Sequence, residues 1–340
     1  MNVENLRGKL LISLLLGIVV FAGLSIYADF REVLRSLSDF NWALLPLILA
    51  LTTVNYLLRF VKWQYYLGLI GVRGLSKRTS FLIFFSGLGM VITPGKVGEW
   101  LKTYLLREVH GTPVARSAPI LIAERLTDSI ALLIICAAGI FVFGDFWQAF
   151  VAVALGSIVL VAVARHRPTA TALLRLGGRI PFVRRFVPQL EEFYEATRVL
   201  LSPRAVILMA GLSAFSWFFE VLGFYFTLVG LGLDGNGELL LKAAFILPIA
   251  TLAGAILLTP GGLGVAEGGI TALSMSLLDL SRSAAAVGTL IIRFATLWFG
   301  VIVGLIAFAV LSRRLAAESE QESPGDKTLA TTESLPDAPP

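Results

Sequence analysis

Long uninterrupted apolar runs constrain this chain more than any other feature. A helix needs about 20 consecutive apolar residues to cross the hydrocarbon core of a bilayer. Such runs occupy residues 10–27, 42–58, 118–143, 146–164, 205–231 and 283–311 of the 340. Hydrophobic residues make up 56% of the chain and charged residues 15%, against roughly 45–50% and 25% in soluble domains. A soluble cytosolic enzyme is thereby excluded. Within lipid each segment must satisfy its own backbone hydrogen bonds, so the fold class is an all-α integral membrane protein. The run 10–27 has no small-residue cleavage site before the Asp29–Asp39 stretch and is expected to stay as a span rather than leave as a signal peptide.

Two further apolar segments, 80–93 and 243–259, are shorter and end alike, in Thr93-Pro94-Gly95-Lys96 and Thr259-Pro260-Gly261-Gly262. Proline and glycine break a helix at membrane depth only where protein or a wet cavity satisfies the freed backbone. Lys and Arg mark cytoplasmic loops: Arg7 and Lys9, then Arg73, Lys77 and Arg78, then Lys102, Arg107 and Arg116, the run from Arg165 to Arg204, and Arg313 with Arg314. The opposite loops carry Asp29, Asp39, Asp145, Asp234, Glu238 and Asp279. That distribution fits six full spans plus two re-entrant helical hairpins, with both termini cytoplasmic in the plasma (inner) membrane. Arms that cross fully would leave the parity unchanged. The membrane domain is read as 1–314, with repeat halves of about 42–164 and 205–311. A basic linker, 165–204, contains Leu190-Glu191-Glu192-Phe193-Tyr194-Glu195-Ala196 as an expected interfacial amphipathic helix. The polar tail 315–340 is expected to be disordered.

The breaks anchor an internal repeat. Thr93-Pro94-Gly95-x-x-Gly98-Glu99 parallels Thr259-Pro260-Gly261-x-x-Gly264-x-x-Glu267, and Glu99 and Glu267 each precede an arginine, Arg125 and Arg293, by 26 positions. Three spans separate the hairpins, so the copies should be inverted, an arrangement found in secondary transporters with broken helices at the midplane. In each copy Thr is expected to cap, and Pro to open, the second arm. A helix N-terminus presents free amides and partial positive charge, and so attracts anions such as phosphate. Gly95, Gly98, Gly261, Gly262 and Gly264 would leave those amides unshielded; close helix packing by small residues is the other use of such glycines.

A charge at the centre of a span costs roughly 2.5–3.5 kcal/mol on insertion scales and needs a partner or a wet cavity. Glu124, Arg125 and Asp128 share a helical face. Arg293 has no charge within ten residues before it or after it until Arg313 and must pair elsewhere, with Glu267 or a ligand anion; Arg125 is expected on Glu99, Glu267 or the same ligand. Glu220 is a further isolated charge. Arg59 and Lys62, at the end of the second span, read as snorkelling to the interface. The candidate substrate-binding set is therefore Thr93, Gly95, Lys96, Gly98, Glu99, Lys102, Glu124, Arg125, Asp128, Thr259, Gly261, Gly262, Gly264, Glu267 and Arg293. One cysteine and two well-separated histidines argue against a metal centre, and no P-loop supplies ATP chemistry. No catalytic residue, metal or cofactor is expected.

The ordered motifs Thr93-Pro94-Gly95-Lys96-Val97-Gly98-Glu99-x-x-Lys102-x-Tyr104-Leu105-Leu106, Glu124-Arg125-x-x-Asp128 and Pro260-Gly261-Gly262-Leu263-Gly264-x-x-Glu267 with Arg293 resemble the lysylphosphatidylglycerol synthase transmembrane-region family, over about residues 10–311. The resemblance implies a flippase-like membrane protein, similar to the flippase half of the multiple-peptide-resistance factor, which moves aminoacylated phosphatidylglycerol between leaflets. Full-length synthases of that kind also carry a soluble acyltransferase-like domain, and no segment here is expected to fold as one. The expected function is translocation of an anionic or aminoacylated phospholipid, or a lipid-linked precursor. A membrane-embedded lipid aminoacyl- or glycosyl-transferase, or a non-transporting partner of a lipid-modifying enzyme, is the alternative, although no metal-chelating Asp-x-Asp motif is present. The expected partners are membrane lipids with an anionic head group and no nucleic acid; nothing in the residues specifies an oligomer.

Overall fold

The chain is helical because a lipid-facing backbone has no other way to pair its polar groups. A computed structural model describes residues 30–91, 100–143, 147–166, 168, 185–257 and 260–321. The expected first span, 10–27, lies outside these residues. In chain order the helices are α1 (Phe30–Asp39), α2 (Leu45–Leu69), α3 (Lys77–Leu88), α4 (Leu101–His110), α5 (Pro119–Phe143), α6 (Trp147–Arg165), α7 (Val187–Leu200), α8 (Pro203–Gly230), α9 (Gly237–Ile256), α10 (Val265–Leu278), α11 (Arg282–Arg293) and α12 (Phe299–Gln321). Short helical turns at Trp42–Leu44 and Val114–Ser117 precede α2 and α5, and a π-helical turn, Phe294–Trp298, joins α11 to α12. Side-chain caps place several starts: Ser76, Asn236 and Ser281 each accept the amide three residues on, from Thr79, Leu239 and Ala284.

Among the described residues, four stretches are long and apolar enough to cross a membrane: Trp42–Leu69, Pro203–Gly230, Gly237–Ile256 and Arg282–Ala317. Three boundaries differ from the sequence reading. The second span, expected to end at Leu58, runs on to Leu69, because the charges at Arg59 and Lys62 find partners inside the protein. The segment expected to begin at Ala243 starts at Gly237 and has 20 residues, about 30 Å at 1.5 Å per residue, the thickness of a hydrocarbon core. Its partner α10 has 14 residues and falls short. At the end of the chain, α12 continues to Gln321, past the start of the stretch expected to be disordered.

Packing pairs early helices with late ones. Helix α2 lies along α8, α3 along α12, and α9 along α5. At the α2–α8 contact the bonds are reciprocal: Asn55 Nδ2 donates to the Ser216 carbonyl at 2.9 Å, and Ser216 Oγ to the Asn55 carbonyl at 3.1 Å. At the α3–α12 contact the backbones of Gly89 and Gly304 touch so closely that a Cβ on Gly304 would collide with the Gly89 nitrogen, the small-residue packing usual between membrane helices. Helix α7 buries Ala196, Thr197 and Leu200 and packs against α5 and the Val114–Ser117 turn.

Candidate functional site

The charges along the bundle meet around a cavity of about 160 Å³. Helical spacing of three or four residues aims pairs of side chains into it: Tyr56 and Arg59 from α2, Trp217 and Glu220 from α8, Thr251 and Gly254 from α9, with Lys102 from α4 and Arg125 from α5. Gly261 and Gly262 form the floor, beside Arg293 at the end of α11 and Thr296 in the π-helical turn. A π-helical turn widens the coil locally and often marks a functional site. Here Tyr56 donates its hydroxyl to the Thr296 carbonyl at 2.9 Å.

Each deep cation has a carboxylate behind the cavity wall. Arg293 Nε donates to Glu267 Oε1 at 2.6 Å, and its Nη2 to the Gly261 carbonyl at 2.6 Å. Lys102 Nζ reaches Glu124 Oε2 at 2.6 Å and lies 4.9 Å from the Trp63 ring centre, its stem passing over Gly87, where any Cβ would clash. Asp128 serves three cations: Lys62 at 2.5 Å, Arg125 at 3.4 Å and Arg59 at 3.8 Å. Lys62 also donates to Ser213 Oγ at 2.8 Å, and its residue is 1% exposed. Desolvation this complete is tolerable only when the charge is paired and hydrogen-bonded. Arg59 and Arg125 keep 19% and 40% of their side chains open, Arg59 lying 5.9 Å from the Trp217 ring centre. Among the described residues, five cations (Arg59, Lys62, Lys102, Arg125, Arg293) thus face four carboxylates (Glu124, Asp128, Glu220, Glu267).

The second chain break departs from the expected geometry. The sequence pattern predicts Thr259 as the cap of the second arm with Pro260 at its first position. Instead Pro260–Gly262 make a 3₁₀ turn and α10 starts at Val265, with Gly264 as N-cap. Gly261, Gly262 and Gly264 take φ values of 59°, 75° and 84°, a left-handed path that only glycine follows without strain and that cannot continue a right-handed helix. The Gly264 amide, expected to be free for an anion, donates to Glu267 Oε2 at 2.7 Å. One carboxylate therefore caps α10 and holds Arg293, and at this break the positive charge facing the cavity is the Arg293 guanidinium rather than a free helix end.

Of the residues singled out from sequence, Lys102, Arg125, Gly261, Gly262 and Arg293 line the cavity, Glu124, Asp128 and Glu267 stand behind as counter-ions, and Gly264 caps α10. Thr93, Gly95, Lys96, Gly98, Glu99 and Thr259 lie outside the described residues. Arg125, expected on Glu99, Glu267 or a ligand, has Asp128 beside it on its own helix. The reading of Arg59 and Lys62 as snorkelling groups is overturned: both turn inward to Asp128. Tyr56, Trp217, Thr251 and Thr296 were not anticipated, since an aromatic or threonine in an apolar run carries no signal by itself.

The chain is similar over most of its length to proteins of known sequence family. Residues 14–304 match the lysylphosphatidylglycerol synthase TM region. Two proteins of Methanothermobacter thermautotrophicus, each named a UPF0104 membrane protein, are 24% and 23% identical, covering 88% and 92% of this chain and 94% and 96% of their own lengths. The protein named glycosyltransferase AglD, of Haloferax volcanii, is 23% identical over 82% of this chain, which spans 50% of that relative. The extent of the family match, with the spans and intramembrane charges described above, places this chain among the membrane proteins of the lysylphosphatidylglycerol synthase transmembrane-region family.

Proposed function

We propose that the protein is a lipid translocase that moves an anionic or aminoacylated phospholipid, or a lipid-linked precursor, between the leaflets of the plasma membrane. The observation that carries this reading is the cavity that draws Arg59, Arg125 and Arg293 together within a membrane protein, with one more cation than carboxylate around it among the described residues. A phosphate head group cannot enter hydrocarbon bare, because burying an isolated ion costs far more than any one contact returns. A wet, cationic cavity replaces its hydration. In this account the phosphate sits among the three arginines, and Arg293 exchanges Glu267 for the ligand as the head group arrives. Gly261, Gly262 and the Thr93–Glu99 motif complete the set of head-group contacts.

The architecture that suits this task is six spans and two re-entrant hairpins, related as inverted repeats, with both termini cytoplasmic. Its supports are the crosswise packing of α3 on α12 and α9 on α5, the reciprocal Asn55–Ser216 bonds, and the short lengths of α3, α4 and α10. Rocking of one repeat against the other would expose the cavity to each leaflet in turn. A second reading has one specific support, the relative named a glycosyltransferase: the same cavity would then present a lipid to a transferase, in this chain or docked on it.

Fluorescent phosphatidylglycerol in proteoliposomes, bleached from outside, separates the two. Translocation predicts that nearly all label becomes accessible with the wild-type protein, about half without protein, and a rate at least about tenfold lower with Arg293→Ala, a barrier raised by roughly 1.4 kcal/mol. Equal rates for Arg293→Ala and wild type would reject the counter-ion role, and a covalently altered lipid would favour the transferase.

A further inference from the structure

Among the described residues, three of the four carboxylates around the cavity are held by short ion pairs; Glu220 is not. Glu124 has Lys102, Asp128 has Lys62, and Glu267 has Arg293, at 2.5–2.6 Å. Glu220 is 5% exposed, lines the cavity, and has no hydrogen bond or ion pair among the described residues. Arg59 on α2, Arg293 on α11, and Tyr56, Lys102 and Arg125 share the cavity wall with it, and Asp128 on α5 stands behind that wall, paired with Arg59 and Arg125. Helix α9 brings Thr251 but no titratable group to this level, its Glu238 and Lys242 pairing with each other at 2.8 Å in the first turns.

A buried carboxylate without a donor is ordinarily a defect in a native structure and calls for an explanation. Function supplies one here. With the cavity empty, Arg59 and Arg293 make an ionised Glu220 tolerable. A phosphate seated between those arginines takes over their positive field and adds a like charge beside the carboxylate, and the cheapest response is for the carboxylate to take up a proton. Resting on the translocase reading, we propose that Glu220 is a proton site that couples head-group binding to proton uptake, so that each anionic lipid phosphate enters with one proton. The proton comes from water and adds to a Glu220 oxygen; no other bond changes. Cargo and proton together carry no net charge, so the step is indifferent to membrane potential, which otherwise acts on each translocated charge with about 2.3 kcal/mol per 100 mV.

The test is calorimetric titration of the full-length protein in detergent with dihexanoyl phosphatidylglycerol, between pH 5 and 8, in buffers of different ionisation enthalpy. Wild type is expected to take up close to one proton per lipid bound, with affinity falling about tenfold per pH unit on the alkaline side. Glu220→Gln is expected to bind with an affinity that no longer varies with pH and to take up no proton. Glu220→Asp, should the glutamine form not fold, is expected to keep the proton uptake at a displaced pH. Wild-type binding without proton uptake, or equal uptake by Glu220→Gln, overturns the proposal. Because the readout is binding, proton uptake in a protein that moves no lipid in vesicles would support the proton site and reject translocation.

Discussion

Replacing Asp128 by asparagine keeps the shape of the side chain and removes the one negative charge that Lys62, Arg125 and Arg59 share. The loss falls hardest on Lys62, which is 1% exposed and has its shortest bond to Asp128. Removing one partner of a buried pair typically costs 3–5 kcal/mol. The lower end applies, since Lys62 keeps Ser213 Oγ at 2.8 Å and Thr127 Oγ1 at 3.3 Å, and the two arginines retain contact with the wet cavity. We expect Asp128→Asn to lose about 3 kcal/mol. Adding Lys62→Met removes the orphaned ammonium and should restore about 2 kcal/mol of that, a coupling within the range for residues in direct contact. Equilibrium unfolding of the purified variants by SDS titration in mixed micelles, followed by helical circular dichroism, measures both. A loss below about 1 kcal/mol for Asp128→Asn, or a double variant less stable than the single one, would refute the claim that this ion cluster is desolvated and mutually dependent.

Two further outcomes follow from the packing. Gly304→Ala drives a methyl group into the Gly89 backbone and should destabilise the α3–α12 contact by about 1–3 kcal/mol, as overpacking does, read by the same unfolding assay; a neutral result would mean that the helices can part at no cost. Glu267→Gln weakens the hold on Arg293 and the cap on the Gly264 amide together. It should slow lipid movement in vesicles by about tenfold or more, as expected for a group that positions a charge, whereas an unchanged rate would show that Arg293 is placed without it.

The bilayer makes much of this fold legible in advance. A run of twenty apolar residues has one cheap backbone conformation, so α5, α6 and α8 fall close to the expected boundaries and the α11–α12 rod begins where expected. Arg293 likewise called for a partner from another element, Glu267 or a ligand anion, because no charge lies near it on its own helix, and the structure gives it Glu267. What stayed hidden depended on tertiary context. Arg59 and Lys62 looked like the end of a span because their counter-ion lies on α5, more than sixty positions later. The start of α10 was misplaced because Thr-Pro is an ordinary helix opening, and nothing local shows that Gly261, Gly262 and Gly264 turn left-handed first. Glu220 stood out as a charge in an apolar run, but only its neighbours in space show that it lacks a donor.

The central claim is that the arginine-lined cavity holds a lipid phosphate. Native mass spectrometry of the protein released gently from membranes tests this most directly, comparing wild type with Arg59→Gln, whose 3.8 Å ion pair is the loosest in the cluster. The account predicts an anionic phospholipid retained on wild type and occupancy at least about tenfold lower in the variant, a loss of roughly 1.4 kcal/mol of binding. Equal occupancy in both proteins, or retention of uncharged lipids alone, would contradict it.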